Sequence, residues 1–398
     1  MAGRPRTRPR LLVLGAGPSQ LGLLESARAR GDLHVIAADR DPGAIGFGLA
    51  DERALVSTED EDAVGRLARA RDVAGLVSPG ADWPVGIAAR VAARLGLPHP
   101  IDPRVAAVAT SKLRQREAFA AARVRHARAF AADDSELRFP CVVKVPDRQG
   151  QRGLALVTER AELAEALAEA AHESRGGETL VEEHVDGPEL TVNGFSVEGS
   201  FVPLTVTDRL TAEPPAFGVA LAHVWPSQHD AAPVVEVART AVEALGIRHG
   251  PSYTQLRLGP SGPVVMEVAA RLGGGHDAEL CRGATGVDLN GLTVSAALGE
   301  RPSTLLQALP ATGGAAVVFL VPPEGRLLEV EGLDDAGAVE GVEWVRVYRR
   351  PGHVFGPFRR GADRAGAVLA TGADRREALE RGRRAAGAVR FRVDADAP

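Results

Sequence analysis

The first hundred residues alternate between apolar strand-like runs and helix-like stretches, and this alternation constrains the fold more than any other feature. Residues 11–14 form a continuous apolar run that ends in Gly15-Ala16-Gly17, and a helical stretch follows. Further strands are predicted over residues 33–38 and 75–78, and a helix over residues 84–95. Strand–helix–strand units of this kind build a parallel sheet that is covered by helices. The start of the chain therefore predicts an α/β unit.

Composition and charge exclude several classes of protein. The 398 residues are 45% hydrophobic and 25% charged, with 47 basic against 52 acidic side chains, which predicts a globular protein of two or three compact units. The net charge of −5 argues against nucleic-acid binding, and no apolar run approaches the roughly 18 residues that a membrane span needs. Cys141 and Cys281 lie far apart and lack the spacing of a metal or redox site, so we expect a reduced, cytoplasmic protein.

Lysine is almost absent from the chain. Only Lys112 and Lys144 are lysines, and the other 45 basic residues are arginines. A coding bias of this kind replaces lysine wherever arginine serves equally well. The two survivors are therefore candidates for sites that need a compact ammonium instead of a planar guanidinium, although chance survival is the alternative.

The segment over residues 141–189 combines a buried cation, a glycine-rich loop and several acids. Lys144 lies in an apolar predicted strand, where an ammonium is costly unless an anion pairs with it. A polar loop over residues 146–153 follows, and flexible glycine-rich loops cradle phosphates. A predicted hairpin to residue 157 and a helix over 162–171 lead to a strand over 179–185, whose extended backbone can pair with an adenine edge. The alternative is a solvated hairpin with surface acids. The nucleotide-binding candidates in this segment are Lys144, Gly150, Arg152, Gly153, Glu182, Glu183, Val185 and Glu189.

A third group of candidates centres on Glu267. If the strands that contain Gln255 and Glu267 pair as a hairpin, these two side chains are neighbours, roughly 5 Å apart at Cβ. A carboxylate beside an amide oxygen suits Mg²⁺, which takes hard oxygen ligands. Arg271 can clamp a carboxylate or a phosphoryl group, and the glycines around Gly274 let a small substrate approach the backbone before His276. A structural Glu–Arg pair is the alternative.

Other segments give less specific expectations. Alternation over residues 189–207 predicts an antiparallel hairpin that turns at Glu198-Gly199, and a continuous helical pattern is predicted over residues 105–122. Asp82, in a loop at a strand end, is expected to face the substrate. His184 and His223 are interpreted as structural, and residues 210–225, with Phe217, as a substrate-facing loop.

Taken in chain order, these segments resemble the ATP-grasp superfamily over nearly the whole chain. Lys112 and Lys144 match its two ATP-phosphate lysines, and residues 147–153 match its phosphate-covering loop. Residues 182–185 resemble its adenine hinge, with the backbone of Glu183 and Val185 as contacts, and Glu189 matches its ribose-binding acid. The run Glu-Val-Ala-Ala-Arg at residues 267–271 resembles its Glu-x-Asn-x-Arg strand, with Gln255 in the first metal-ligand position. Two positions depart from the family pattern, because Gln255 is neutral and Ala269 offers no side-chain oxygen.

The resemblance implies an α/β fold, with α+β character in the ATP-binding part, and a division into five segments. The implied segments are a disordered leader (1–10), a Rossmann-like pre-ATP-grasp domain (11–104), the small ATP-grasp lid with its leading helix (105–186), the large ATP-grasp subdomain with the metal and substrate site (187–310), and a C-terminal α+β subdomain (311–398).

The C-terminal tail further resembles that of carboxylate–amine ligases of the L-amino-acid ligase type. The implied reaction activates a carboxylate with ATP to give an acyl phosphate, which an amine attacks to form an amide, ADP and phosphate. On this hypothesis Lys112, Lys144 and Arg152 hold phosphates, and Gln255 and Glu267 hold one or two Mg²⁺ ions, which Mn²⁺ can replace. Arg271 stabilises the carboxylate and the acyl phosphate. Substrate contacts are assigned to Arg271, Gly274, His276 and Asp82. The resemblance also implies small-molecule partners and a homodimer.

Three alternatives stay open on the sequence. One is an ATP-grasp enzyme of purine-type metabolism that works through carboxyphosphate or formyl phosphate. Another is an ATP-binding protein without turnover, which Gln255 and Ala269 motivate. The third is a Rossmann oxidoreductase, because the Gly15-Ala16-Gly17 turn with Asp39 partly resembles a dinucleotide fingerprint.

Overall fold

The N-terminal part of the chain is a parallel sheet covered by helices. The computed structural model describes residues 8–301 and 313–395. The strands of this part are β1 (Arg10–Leu14), β2 (His34–Asp39), β3 (Glu52–Leu55) and β4 (Gly75–Val77), and its helices are α1 (Leu21–Ala29), α2 (Glu61–Ala70) and α3 (Asp82–Leu95). The strands pair in the order β3–β2–β1–β4, all parallel, as the strand–helix alternation predicts. Most of the expected leader lies outside the described residues, but Arg10, its last residue, is the first residue of β1.

The glycine turn after β1 is closed by its own neighbours. The Asp39 carboxylate accepts hydrogen bonds from the backbone N–H of Ala16 at 2.8 Å and of Asp41 at 3.0 Å. Gly15 has φ +103°, and an added Cβ there would lie 2.8 Å from Cδ of Gln20. Since Asp39 and Gln20 both support the loop itself, this turn gives no support to the oxidoreductase alternative.

Two helices replace the single helix that the sequence predicts over residues 105–122. They are α4 (Pro103–Ala109) and α5 (Lys112–Ala121). The chain breaks because Ser111 caps α5, accepting a hydrogen bond from Arg114 N–H at 3.4 Å. The break makes Lys112 the first residue of a helix, with its backbone N–H bonded to Pro146 O at 3.0 Å. This hydrogen bond connects Lys112 to the start of the polar loop.

A small antiparallel sheet follows. Its elements are β5 (Ala129–Phe130), β6 (Cys141–Lys144), β7 (Ala155–Val157), α6 (Arg160–Glu173) and β8 (Leu180–Glu183). The strand order is β5–β8–β6–β7, and β6 and β7 form the predicted hairpin. Val143, Val157 and Val181 of the sheet and Leu163 of α6 bury one face of it. We call this unit, residues 129–183, the small lobe.

The rest of the chain builds an eight-stranded sheet and a three-stranded sheet. The elements are β9 (Glu189–Val197), β10 (Ser200–Thr211), β11 (Ala220–Trp225), α7 (Ala231–Ala244), β12 (Gly250–Gly259), β13 (Gly262–Ala269), α8 (Asp277–Thr285), α9 (Leu289–Ala297), β14 (Gly314–Leu320), β15 (Gly325–Glu331), α10 (Leu333–Gly337), β16 (Val342–Val347), β17 (Val354–Phe355), β18 (Gly366–Gly372), α11 (Arg375–Ala388) and β19 (Arg390–Asp394). The large sheet runs β13–β12–β9–β10–β11–β14–β18–β16, and the small one runs β17–β15–β19.

The large sheet crosses the boundary that the sequence suggests near residue 310. β9 to β13 precede that boundary and β14, β16 and β18 follow it, yet all belong to one antiparallel sheet. Residues 302–312, where the boundary falls, lie outside the described residues, and the five-segment division stays a prediction. The hairpin of β9 and β10 turns at Glu198-Gly199, as predicted. Within the described ranges, no helix is both long and apolar enough to cross a membrane.

Candidate functional site

A cleft between the small lobe and the large sheet collects most of the predicted nucleotide-binding residues. We call it the inter-sheet cleft. The predicted residues that line it are Lys112, Lys144, Gly150, Arg152, Glu182, Glu183, Val185, Glu189, Gln255 and Glu267. They come from the start of α5, from β6 and β8 on one side, and from β9, β12 and β13 on the other. The fold therefore brings together segments that are up to 155 positions apart in sequence.

Lys144 lies beside a buried carboxylate that it shares with a second cation. Glu182 is 1% exposed and pairs with both Lys144 and Arg116. Burial lowers the pKa of Lys144, while the Glu182 carboxylate opposes that change. Burial alone would raise the pKa of Glu182, but Lys144 and Arg116 outweigh it and hold that pKa low. The Glu182 side chain thus serves as the counterion of Lys144.

Sequence reasoning missed Arg116. It lies four positions after Lys112 in α5, so both side chains share one helix face. Its guanidinium also donates to Met266 O at 2.7 Å, which joins α5 to β13. Its spacing from Lys112 is a signal that could have identified it.

Lys112 connects the polar loop to the predicted metal ligand. Its Nζ donates to Arg148 O at 2.7 Å and lies 3.5 Å from Glu267 Oε2. The residue is 8% exposed. A nearly buried ammonium next to both the loop and Glu267 is suited to a phosphate group that reaches the same point.

The polar loop contributes unequally to the cleft. Gly150 and the exposed Arg152 line it. Gly153 does not: it has φ +58°, and an added Cβ would lie 2.6 Å from Cγ2 of Val145. Close packing against the small lobe therefore explains this glycine, and the structure does not place it at the cleft.

In the predicted adenine hinge, some backbone groups already have hydrogen-bond partners within the protein. The N–H of Glu183 donates to Arg128 O at 2.9 Å, and the carbonyl of Val185 accepts from Arg257 at 2.9 Å. Because the Val185 carbonyl is already bonded to Arg257, the Val185 N–H is the group left for the predicted adenine contact. Phe217 and His184 also line this cleft, with ring centroids 6.2 Å apart. Phe217 thus lines this cleft, whereas Ala220 and His223 of the same predicted segment line the second cavity described below, and the substrate-facing role of residues 210–225 stays a prediction.

Glu189, the predicted ribose acid, already has partners within the protein. Its carboxylate pairs with Arg209, accepts from Gln255 and lies 3.9 Å from Arg257. Both Glu189 and Arg209 are almost fully buried. The contact to ribose stays a prediction, and any such contact has to share this carboxylate with Arg209 and Gln255.

The hairpin of β12 and β13 places the two predicted metal ligands opposite each other. Gln255 is the register partner of Glu267, as the sequence predicts, and a β-bulge follows this pair. Within the described ranges, no cluster of three His, Cys, Asp or Glu side chains could hold a metal ion. One carboxylate and one amide oxygen fit Mg²⁺ only when phosphates and waters complete its shell, which is the way Mg²⁺ is usually bound beside a nucleotide.

A second cavity opens from the cleft toward the N-terminal and C-terminal parts of the chain. We call it the arginine-rich cavity, because Arg148, Arg152, Arg175, Arg209, Arg271, Arg349 and Arg364 line it. Of the predicted substrate residues, Arg271, Gly274 and His276 line it as well. Asp82 is held directly by Arg271, whose Nε donates to it at 2.6 Å. The structure thus pairs two predicted substrate residues with each other.

His276 is fixed by contacts on both ring nitrogens. Nδ1 lies 2.9 Å from Glu279, and Nε2 lies 2.5 Å from the Tyr348 hydroxyl. Burial would raise the pKa of Glu279, but His276 and Arg346 lower it to about 2. His276 is only 3% exposed, so its ring mainly organises the wall of the cavity.

His223, interpreted as structural from the sequence, also lines the arginine-rich cavity. Its Nδ1 lies 2.9 Å from Asp277, whose side chain is fully buried. Burial alone would raise the pKa of Asp277, yet His223 and the Gly275 N–H hold it low. The two residues come from β11 and α8, and no local motif links them, so tertiary structure alone reveals this pair.

Comparisons with known proteins agree with the geometry. A family model of the ATP-grasp domain matches residues 137–279, and one described as L-amino acid ligase C-terminal domain 2 matches residues 318–394. The uncharacterized protein y4rH of Sinorhizobium fredii is 31% identical over 87% of this chain and 75% of its own length. Carnosine synthase 1 of Gallus gallus is 28% identical, over 50% of this chain and 24% of that protein. Dapdiamide A synthase of Enterobacter agglomerans is 23% identical over 54% of each chain.

Solved structures show the same fold. The L-amino acid ligase from Bacillus licheniformis matches with a TM-score of 0.83 and 22% identity, over 98% of this chain and 100% of that one. Phosphoribosylglycinamide synthetase from Anaerococcus prevotii matches with a TM-score of 0.79 and 19% identity, over 97% of this chain and 100% of that one. The chain belongs to the ATP-grasp superfamily, in the carboxylate–amine ligase branch that carries the L-amino acid ligase C-terminal domain.

Proposed function

We propose that the protein uses ATP to join the carboxylate of an amino acid, or of another small acid, to an amine through an acyl phosphate. One observation carries the proposal: the inter-sheet cleft and the arginine-rich cavity share the polar loop together with Gln255 and Glu267. A nucleotide in the cleft would present its terminal phosphate at this junction, where an acid in the second cavity can meet it. Proximity of this kind is the main requirement of phosphoryl transfer.

The phosphate end of the cleft is rich in fixed cations. Lys144 and Lys112 are nearly buried, and Arg152 extends from the loop. Preorganised cations stabilise the negative charge that shifts from ATP to the acyl phosphate and ADP. Glu267 and the amide oxygen of Gln255 would hold Mg²⁺, which neutralises phosphate charge when bound.

Residues beyond the junction are suited to the two acceptor substrates. Arg271, fixed by Asp82, would hold the carboxylate that becomes phosphorylated. His223, oriented by Asp277, would accept a proton from the attacking amine on Nε2. The amine nitrogen then displaces phosphate from the acyl carbon and forms the amide bond.

The C-terminal region favours this reaction over the purine-type alternative. The match to the L-amino acid ligase C-terminal domain covers β18, α11 and β19, and two relatives are named as carnosine and dapdiamide synthases. Phosphoribosylglycinamide synthetase from Anaerococcus prevotii and N5-carboxyaminoimidazole ribonucleotide synthetase from Thermotoga maritima are 19% and 20% identical and support the fold alone.

The test is release of ADP and phosphate from Mg-ATP with amino acids and other amines offered singly and in pairs, with mass detection of products. A Lys112→Met variant purified in the same way is the control for contaminating ATPases. We expect release that requires two substrates and yields a new amide. Release that depends instead on bicarbonate, formate or a ribose phosphate would overturn the proposal, as would ATP binding with no turnover across the whole matrix.

A further inference from the structure

Arg364 occupies an unusual position in the arginine-rich cavity. It lies between β17 and β18, and its guanidinium carbon lies 3.8 Å from the centroid of the Phe319 ring. Nε donates to Gly361 O at 2.8 Å and Nη1 donates to Ala220 O at 3.4 Å. These contacts hold the guanidinium over the aromatic ring, at the wall of the cavity.

Of the seven arginines that line the cavity, three form ion pairs with a carboxylate in the described part of the chain, and Arg364 is one of the other four. In the same cavity, Arg175 pairs with Glu59, Arg209 with Glu189 and Arg271 with Asp82. Across residues 8–301 and 313–395, no carboxylate forms an ion pair with Arg364. Arg349, which lines the same cavity, donates to the backbone carbonyls of Tyr348 and Ala362 and forms no ion pair with a described carboxylate.

Partial burial makes the lack of an ion pair costly. It lowers the pKa of Arg364 to about 10, and the side chain still carries its charge at neutral pH. A buried cation without an anion is unfavourable unless a ligand supplies the anion. The guanidinium groups of Arg364 and Arg349, neither of which pairs with a described carboxylate, therefore point to an acid group on a molecule that binds in the cavity.

The position of this charge indicates which substrate carries the acid group. The guanidinium of Arg364 lies over the Phe319 ring, and the His223 ring makes a T-shaped contact with the same Phe319, with the ring centroids 5.6 Å apart. Under the proposed function, His223 faces the attacking amine, and Arg271 holds the acid to be activated. Arg364 therefore lies on the amine side of the junction.

We propose that Arg364 is the residue that selects amine substrates bearing an acid group of their own, by binding that group next to Phe319. This inference rests on the proposed function. A carboxylate is the expected group, because a guanidinium binds it through two parallel hydrogen bonds. The amine substrate is then an amino acid and not a simple amine.

The experiment compares an amino acid with its own carboxamide. The probe is the amino acid that gives the fastest release in the pairwise matrix, offered as free acid and as carboxamide to wild type, Arg364→Met and Arg364→Lys. Arg360→Gln is the matched control, since Arg360 lies in the same loop, is 48% exposed and does not line the cavity. For each protein, kcat and KM are measured for the amine, together with KM for ATP.

We expect wild type and Arg360→Gln to prefer the free acid by a factor on the order of 100, because a hydrogen bond to a charged group strengthens binding by about that much. Arg364→Met should raise KM for the free acid, leave KM for the carboxamide nearly unchanged and reduce the preference to about one. Arg364→Lys should keep part of the preference, and KM for ATP should not change.

Three results would overturn the inference. One is an unchanged preference in Arg364→Met, and another is an equal loss for acid and carboxamide, which indicates a structural role. The third is a fastest amine that carries no acid group. Silence across the matrix would instead overturn the proposed function, and this inference with it.

Discussion

At the residue scale, one buried carboxylate organises the cationic side of the cleft. Glu182 accepts from both Lys144 and Arg116, so two cations share one anion. The shared carboxylate offsets part of the free-energy cost of desolvating both cations. One carboxylate does not neutralise two cations, so the excess positive charge can bind a ligand. A phosphate group is the ligand that this surplus fits best.

Lys144→Arg should lower kcat/KM for ATP by a factor on the order of 100 while the protein stays folded. The reason is that a planar guanidinium cannot replace a compact ammonium between Glu182 and the cleft. The measurement is steady-state ADP release together with a thermal melt. Arg376→Lys, at a side chain that is 73% exposed, is the charge-conserving control. Near-normal turnover in Lys144→Arg would show that the scarcity of lysine carries no functional information.

The affinity for ATP should fall as the pH rises, and the fall should begin at a lower pH than the ordinary pKa of a lysine would predict. Burial lowers the pKa of Lys144, and the Glu182 carboxylate opposes this by favouring the charged ammonium. Phosphate binding needs the charged form, so affinity should fall as pH rises through the lowered pKa. Glu182→Gln removes the opposing charge, and the fall should then begin at lower pH.

The check is the Kd for ATP by calorimetry from neutral pH up to the ordinary lysine pKa of about 10.4. Glu178→Gln, at an exposed acid just before β8, is the control and should follow wild type. Superimposable pH profiles for Glu182→Gln and wild type would contradict this account of Lys144.

At the element scale, local patterns predicted hairpins well and failed where two segments meet. Period-two alternation and one short turn set the pairing of Gln255 with Glu267. The break at Ser111 was not predicted, although Thr110-Ser111 interrupts the apolar run of α4 and serine is a favoured residue at a helix N-cap. The placement of Phe217 at the cleft depends on contacts with β8 and β12, which no local pattern encodes.

The same hairpin limits how Mg²⁺ is held. Glu267→Gln removes the carboxylate of the pair, so the Mg²⁺ concentration for half-maximal turnover should rise by a factor on the order of 10, or about 1.4 kcal/mol. Glu329→Gln is the control, because Glu329 lies on the three-stranded sheet, away from both cavities. The measurement is turnover across a Mg²⁺ titration at fixed ATP. Half-maximal Mg²⁺ equal to that of wild type would remove Glu267 from the metal site.

At the scale of the whole molecule, the site exists only where distant parts of the chain meet. The arginine-rich cavity is lined by the N-terminal unit, the polar loop, the large sheet and the C-terminal region. Sequence motifs identified the loop and the hairpin because each is continuous. They could not identify Arg364 or the His223–Asp277 pair: one arginine among 45 carries little information, and the pair joins residues 54 positions apart.

Contacts across the cavity also connect the small lobe to the N-terminal unit. Arg175, which precedes β8, forms two hydrogen bonds to Glu59, with oxygen–nitrogen distances of 2.8 and 3.0 Å. Its guanidinium carbon lies 4.2 Å from the ring centroid of Trp83, at the start of α3. The small lobe forms one wall of the inter-sheet cleft, so this link stabilises the position of that wall.

Arg175→Ala should therefore raise KM for ATP by a factor of about 5, which corresponds to about 1 kcal/mol for a partly exposed pair. Because salt screens such a pair, wild type should approach the variant as ionic strength rises. Arg160→Ala is the matched control: Arg160 lies over the Phe139 ring within the same lobe and does not reach the N-terminal unit. The measurement is KM for ATP in wild type and both variants at low and high salt. Equal KM values for Arg175→Ala and wild type at low salt would show that the lobe holds its position without this link. A similar rise of KM in Arg160→Ala would assign the effect to the stability of the lobe itself.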